Sequence, residues 1–375
     1  MEKLSSFAGD LSSLWKLQKF EPIHHLTWDW WWWLVMLDGD ENQPAGRQLM
    51  VLWSTKDNPL VEVNGHPWAP QGRPGIDEDG GIAMDGMVAA WWFDGEKMIE
   101  PLILEESRII VLPETHPEWP AKTGGMVAST TEREYSMGLA PDNSHFWLRL
   151  ETEYADFDLK MKPWNRAMST IKEANAEYAG GMGYDITRLH GTLASGTIDG
   201  KPATGTAYFQ KVCVQAPSVP WFWGMLHLDD GSYIDWFVPH VSPTMTARDS
   251  RPWKKRDITH LPLSQGGLFH DASRGRTERF EQVKVERKLG ENGHPIFYVH
   301  MWNGLTEIRI EATAVSRAHW TFNQPTWGGL TSHLTYNEYP IETTKLWIDD
   351  EIGCRTRSDW GTIHGNAEHS WGLLH

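Results

Sequence analysis

Four Asp-Gly pairs, each flanked by short runs of alternating apolar and polar residues, constrain the fold of this chain more than any other feature. They stand at Asp38-Gly39, Asp94-Gly95, Asp199-Gly200 and Asp230-Gly231. Asp-Gly accepts the positive φ angles of a tight hairpin turn, so each pair predicts two antiparallel strands that meet there. Further strand candidates include "RQLMVLWST", "SRIIVLP", "HFWLRLETEY", "FEQVKVERKL", "IFYVHMWNG" and "LTEIRIEATAV". Helical periodicity is confined to two places. One is the N-terminus, with Leu4, Phe7, Leu11 and Leu14 on one side, and the other is "WNRAMSTIKEANAEYA" at 164–179, followed by the stop signal "GGMG". A chain of 375 residues is too long for one ordinary core. The expected parse is all-β: a β-domain over 1–163, a helical and glycine linker over 164–183, and a second β-domain over 184–375.

Composition removes several function classes. With 34 basic against 50 acidic residues, the formal charge is −16, which repels a phosphate backbone and sets nucleic acid aside. Cys213 and Cys354 make no disulfide framework and fit a reducing, cytoplasmic compartment. The N-terminus lacks a signal-like apolar segment, and no window approaches the roughly 18 apolar residues of a spanning helix. Peripheral contact with a membrane surface is compatible with these features. The phosphate-loop, nucleophile-elbow and zinc-protease motifs are missing. His364, His369 and His375 form only a loose cluster without a tight pair on a regular element, so no metal and no cofactor is expected.

Tryptophan occupies 23 positions, and five of them crowd the segment "HHLTWDWWWWLVMLDGD" at 24–40. Indole is large, flat and amphipathic, which suits aromatic-lined barrels and cavities. In a strand Trp28, Trp30, Trp32, Leu34 and Met36 share one face, and Thr27, Asp29, Trp31, Trp33 and Val35 share the other. Both faces are apolar, as in a barrel strand that is also covered outside. Asp29 loses solvation among the indoles and should have a raised pKa unless a partner is supplied. It reads equally well as a structural acceptor or as a proton donor; one of His24 and His25 must point inward, where a rim hydrogen bond is the plainer use and proton relay to Asp29 the sharper one. A second acid lies near the Asp230-Gly231 turn. If that turn has two residues, Leu228 faces Tyr233 and Leu226 faces Asp235, and Tyr233, Asp235 and Phe237 share one strand face.

The acid-plus-tryptophan strand (Asp29, Trp30, Trp31), the central "GTIDGKPATGTAYFQ" and the following "WFWGMLHLDDGSYIDWF" resemble the AttH/CrtC-type lipocalin-like superfamily. That group includes carotenoid 1,2-hydratases and lipocalin-like Diels–Alderases. The resemblance implies two consecutive lipocalin- or calycin-like antiparallel β-barrels, a hydrophobic pocket between or within them, and a polyene, isoprenoid or polyketide ligand. It assigns Tyr233 and Asp235 to the Tyr-x-Asp pair that protonates a terminal double bond. The His and Trp expected after "GTA" are replaced, because Tyr208, Phe209, Gln210, Lys211, Val212 and Cys213 stand there. The expected function is a proton-transfer enzyme on a hydrophobic alkene: a hydratase or dehydratase, cyclase or isomerase. Asp235, Tyr233 and Asp29 are the candidate catalytic groups, and Trp31, Trp33, Trp223, Phe237 and Gln210 the candidate ligand contacts. A Diels–Alderase-type pericyclase and a non-catalytic lipid or pigment binder are the alternatives.

Overall fold

A computed structural model describes residues 4–17, 23, 26–57, 60–70, 74–76, 80–113, 124–129, 133–177, 179–216, 219–241 and 261–374. The expectation of an all-β chain holds: 69% is strand and 4% helical. Ten antiparallel strands close a barrel, and a second large antiparallel sheet follows. The barrel runs from Asp156–Pro163 through five intervening strands to Gln48–Lys56, Thr27–Leu37, Lys201–Gln215 and Gly183–Ile198. It closes where Phe157 pairs with Ile198 and Pro163 with Thr192.

The turn chemistry explains the local order. Asp199 (φ 51°) and Gly200 (φ 72°) form the expected two-residue turn between Ile198 and Lys201. The Asp94 carboxylate accepts from the Glu96 and Lys97 backbone N–H groups at 2.8 and 2.7 Å, closing a slightly longer loop. At Asp230-Gly231 the Leu228 N–H bonds to Ser232 O, so the loop has three residues and the register slides by one: His227 faces Tyr233 and Met225 faces Asp235. Asp38-Gly39 is no tight turn. Arg47 donates to the Asp38 and Pro44 carbonyls and holds open a connection that spans residues 38–47.

The helix expected over 164–179 is not formed. Lys172–Glu177 is a strand paired with Gly183–Arg188, and only Ala179–Gly181 makes a 3-10 turn. Strong helix formers are overridden because sheet pairing satisfies their backbone at the barrel edge, while Asn165 Oδ1 caps the Met168 N–H in a buried turn before them. The sheets accordingly do not part at 164–183, since the first includes every strand up to Gln215 except Val61–Val63 and His66–Trp68. Those two join the second sheet by pairing with Ala318–Pro325. The N-terminal segment is also shorter than expected, a 3-10 turn over Leu11–Trp15 capped by Asp10.

Three large apolar clusters, and a small one around Leu112 and Trp147, follow from strand alternation among the described residues. Trp31, Trp33, Val35, Phe146 and Phe209 pack inside the barrel. Phe222, Ile234, Trp236, Phe269 and Tyr339 form the second sheet's own core. The third cluster lies between the two bodies, where the outer face of the barrel meets the outer face of the second sheet. It contains Trp32, Trp91, Tyr208, Trp223, Tyr233 and Trp320.

Candidate active site between the sheets

Alternation splits the tryptophan strand into two functions. Trp31 and Trp33 point into the barrel core and are fully buried there, with the Trp31 indole N–H donating to Leu14 O at 2.7 Å. Asp29 shares that inner face, at 1% exposure, and its partner is Lys211 of the neighbouring strand, which forms an ion pair with it. The Lys211 ammonium also lies 5.2 Å from the Trp31 ring centroid. Asp29, Trp31 and Trp33 are therefore on the opposite side of the sheet from Tyr233 and Asp235. The relay proposed from His24 or His25 falls outside the described residues.

Trp32 points the other way, into the layer between the sheets. Its ring makes edge contacts with Tyr208 (5.6 Å) and Trp223 (5.7 Å), and Tyr208 and Trp223 lie 5.4 Å apart. The two strands next to it continue the row, because Trp32 faces Gln210 and Gln210 faces Arg188 in the ladder. The Tyr208 hydroxyl donates to Gln210 Oε1 at 3.4 Å. Opposite this row the second sheet presents Tyr233 and Asp235, whose side chains meet as the two-residue spacing requires: the phenol donates to Asp235 Oδ2 at 2.9 Å. Phe237 continues the same face but is 44% exposed, placing it at the rim.

Burial governs the protonation of this pair. It pushes the Asp235 carboxyl above the usual carboxylate range, a rise opposed by nearby Arg188 and by hydrogen bonds from Tyr233 and the Leu268 backbone. Tyr233 is raised well above an ordinary phenol by burial and by the Asp235 charge. Behind it, the His190 ring lies 4.9 Å from the Tyr233 ring. His227 has its Nε2 2.6 Å from the His190 carbonyl and its Nδ1 2.8 Å from the Thr206 hydroxyl. A carbonyl can only accept, so Nε2 carries the hydrogen and Nδ1 accepts from Thr206. Burial lowers the His227 pKa to about 3, and this ring is a neutral, satisfied support.

A second acidic pair occupies the same layer and was not singled out from the sequence. Glu338 and Glu368 face each other on adjacent strands, at 0% and 6% exposure. Trp91 of the barrel donates its indole N–H to Glu338 at 2.5 Å, while Trp221 (2.7 Å) and Tyr336 (2.8 Å) donate to Glu368. Burial raises Glu368 to about 7 and, with the Glu368 charge added, lifts Glu338 well above the carboxylate range. The available sequence signal was a glutamate at an alternating position inside each of two apolar strands, "HLTYNEYPIE" and "GNAEHSWG". Arg188 in "YDITRLHGTL" carried the same kind of signal.

The acid pair has a measurable consequence for stability. Folded Glu368 keeps a proton that the unfolded chain releases above its ordinary value of 4.5, so the stability it contributes is full below that pH and is lost as pH rises to about 7. Glu368→Gln does not titrate, and its stability relative to wild type should climb across that window, read by urea unfolding at about pH 5 and about pH 8. Taking the difference cancels His227 and also Lys56, whose pKa burial lowers to about 7. A pH-independent difference would contradict the assignment.

The histidines considered as a metal cluster are dispersed. His364 bonds Asp38 at 2.9 Å, whereas His369 stacks on Phe222 inside the second sheet and contacts Arg287; His375 falls outside the described residues. Among the described residues no helix is long and apolar enough to cross a membrane.

Fold and site together define an all-β protein with a closed ten-stranded antiparallel barrel, a second large sheet and a buried polar layer between them. No family model matches the chain. No curated protein matches it in sequence. Solved structures do resemble it. An AttH-type protein of Nitrosomonas europaea is 15% identical with a TM-score of 0.49, covering 92% of each chain. Kievitone hydratase of Nectria haematococca is 10% identical at a TM-score of 0.43, covering 98% of this chain and 96% of its own. CghA, solved with Sch210972, is 8% identical at 0.46, covering 93% and 89%.

Proposed function

We propose that the protein is a proton-transfer enzyme acting on a hydrophobic, alkene-bearing ligand of the isoprenoid or polyene class held between the two sheets. The observation that carries this reading is the buried Tyr233–Asp235 hydrogen bond facing Trp32, Tyr208 and Trp223. A carboxyl group kept neutral by desolvation is the donor that alkene protonation near neutral pH requires. Tyr233 occupies Oδ2 as a donor, which leaves Oδ1 to carry the transferable proton. When the proton passes to an alkene carbon, the C=C electron pair forms the new C–H bond and the positive charge remains on the neighbouring carbon. The faces of Trp32 and Trp223 attract that cation. Arg188 stabilises the carboxylate left on Asp235, which then recovers a proton from a carbon next to the cation or from incoming water. The first outcome is isomerisation or cyclisation, the second hydration.

Solvent isotope labelling tests this. The protein is incubated in D2O with a lipid extract of its source organism, and products are examined by mass spectrometry. Proton transfer leaves deuterium on carbon in a new product. A new product without deuterium would replace this reading by a pericyclase, and an extract that is retained but unchanged would replace it by a carrier.

A further inference from the structure

Arg188 continues the row on the barrel's outer face that runs from Trp32 through Gln210 and faces Tyr233 and Asp235, with the exposed Lys172 beyond it at the edge. Tyr184, Tyr208, Tyr233 and Asp235 surround it closely enough to raise its pKa against the cost of its own burial. Its side chain interacts with the Tyr208 hydroxyl. Among the described residues, however, no carboxylate comes within ion-pair distance of it. The carboxyl group that acts on it electrostatically, Asp235, is already engaged by Tyr233 and is driven by burial toward its neutral form. A guanidinium presents five N–H donors in a planar fork, and neighbouring phenols cannot satisfy them all. Arg188 is half-buried and makes no ion pair among the described residues, so part of its fork is open to an anionic group, and in a ligand site the ligand is what can supply one.

We propose that Arg188, with Tyr208 and Gln210 beside it, anchors an anionic oxygen function of the ligand, a carboxylate or an enolate, so that the substrate is an unsaturated acid and not a plain hydrocarbon. This rests on the reading of the inter-sheet space as the ligand site. The placement is consistent with a division of labour between the sheets. The barrel face holds the oxygen through Arg188, Gln210 and Tyr208, whereas the second sheet delivers the proton through Tyr233 and Asp235. A fully buried cation on the same face, Lys56, lies 4.4 Å from the Trp28 centroid, with its pKa lowered to about 7 by burial. It is a weaker anchor because half of it is neutral at that pH, and it serves as the comparison.

The experiment measures quenching of tryptophan emission by a conjugated tetraene fatty acid, by its methyl ester and by the matching hydrocarbon. Wild type should bind the acid about 10-fold or more tighter than the ester, the size of one charge-assisted bidentate contact. Arg188→Gln should remove that preference while leaving ester affinity unchanged, Arg188→Lys should keep part of it, and Lys56→Met should keep all of it. Equal binding of acid and ester by wild type, a preference that survives in Arg188→Gln, or its loss in Lys56→Met would each overturn the proposal. In those three cases the ligand site itself stands, because the ester still quenches. If none of the three probes quenches, the reading of the inter-sheet space falls as well. Arg188→Lys retains the charge, so it also separates loss of the anchor from loss of the fold.

Discussion

Replacing Asp235 by Asn should lower turnover by about 100-fold or more while ligand affinity changes by less than about threefold. The amide keeps the shape of the carboxyl group and can still accept the Tyr233 hydrogen bond, yet it has no proton to give. Tyr233→Phe should cost less, because the phenol orients the acid and is not the group that transfers. Asp29→Asn is the instructive comparison. Asp29 pairs with Lys211 on the inner face of the barrel strand, across the sheet from the site, so its loss should appear in stability and not in the ratio of turnover to affinity. Near-full turnover in Asp235→Asn would end the acid-catalysis assignment, and a pericyclase, which needs shape and polarisation but no acid, would then be the better description.

Lys211→Met should destabilise the fold by about 3–5 kcal/mol, the usual cost of breaking a buried ion pair by removing one partner. Lys211 and Asp29 are 5% and 1% exposed, and the methionine leaves an ionised or newly protonated carboxyl group among Trp31 and its neighbours. The double change Lys211→Met with Asp29→Leu should recover most of the loss, since the pair as a whole is worth far less than either half alone. Urea unfolding of the two variants decides it. A single variant within about 1 kcal/mol of wild type, or a double variant no better than the single one, would show that the pair is not what holds this end of the barrel.

The tryptophan strand illustrates how far sequence reaches. Alternation alone assigned Trp31 and Trp33 to one face and Trp32 to the other, and this was correct. What alternation could not say was which face closes into the barrel core and which meets the second sheet. The inner face became core because the barrel closes on it and fills it with Phe146 and Phe209, at 5.4 and 4.7 Å from Trp33. The outer face became the layer between the sheets because a second sheet, far along the chain, is laid against it. Lys211 was likewise in plain view in "FQKVC", but its pairing with Asp29 across 182 positions is a matter of register between two strands.

The sequence by itself determined the elements whose cause is local. Period-two alternation and the Asp199-Gly200 turn made an antiparallel all-β chain. The spacing of Tyr233 and Asp235 put phenol and carboxyl on one face whichever turn length preceded them, and a one-residue slip of the hairpin left that relation intact. Tertiary structure alone decided what depends on partners distant in sequence. It turned the helix formers of 172–177 into a strand by offering them a ladder. It set Arg188 and Gln210 opposite Tyr233 and Asp235, and it brought Glu338 against Glu368 and Trp91. The physical reason is that strand geometry fixes only the direction in which a side chain leaves its own backbone. Desolvation, ion pairing and proton sharing depend on what another part of the chain places at the far end of that direction.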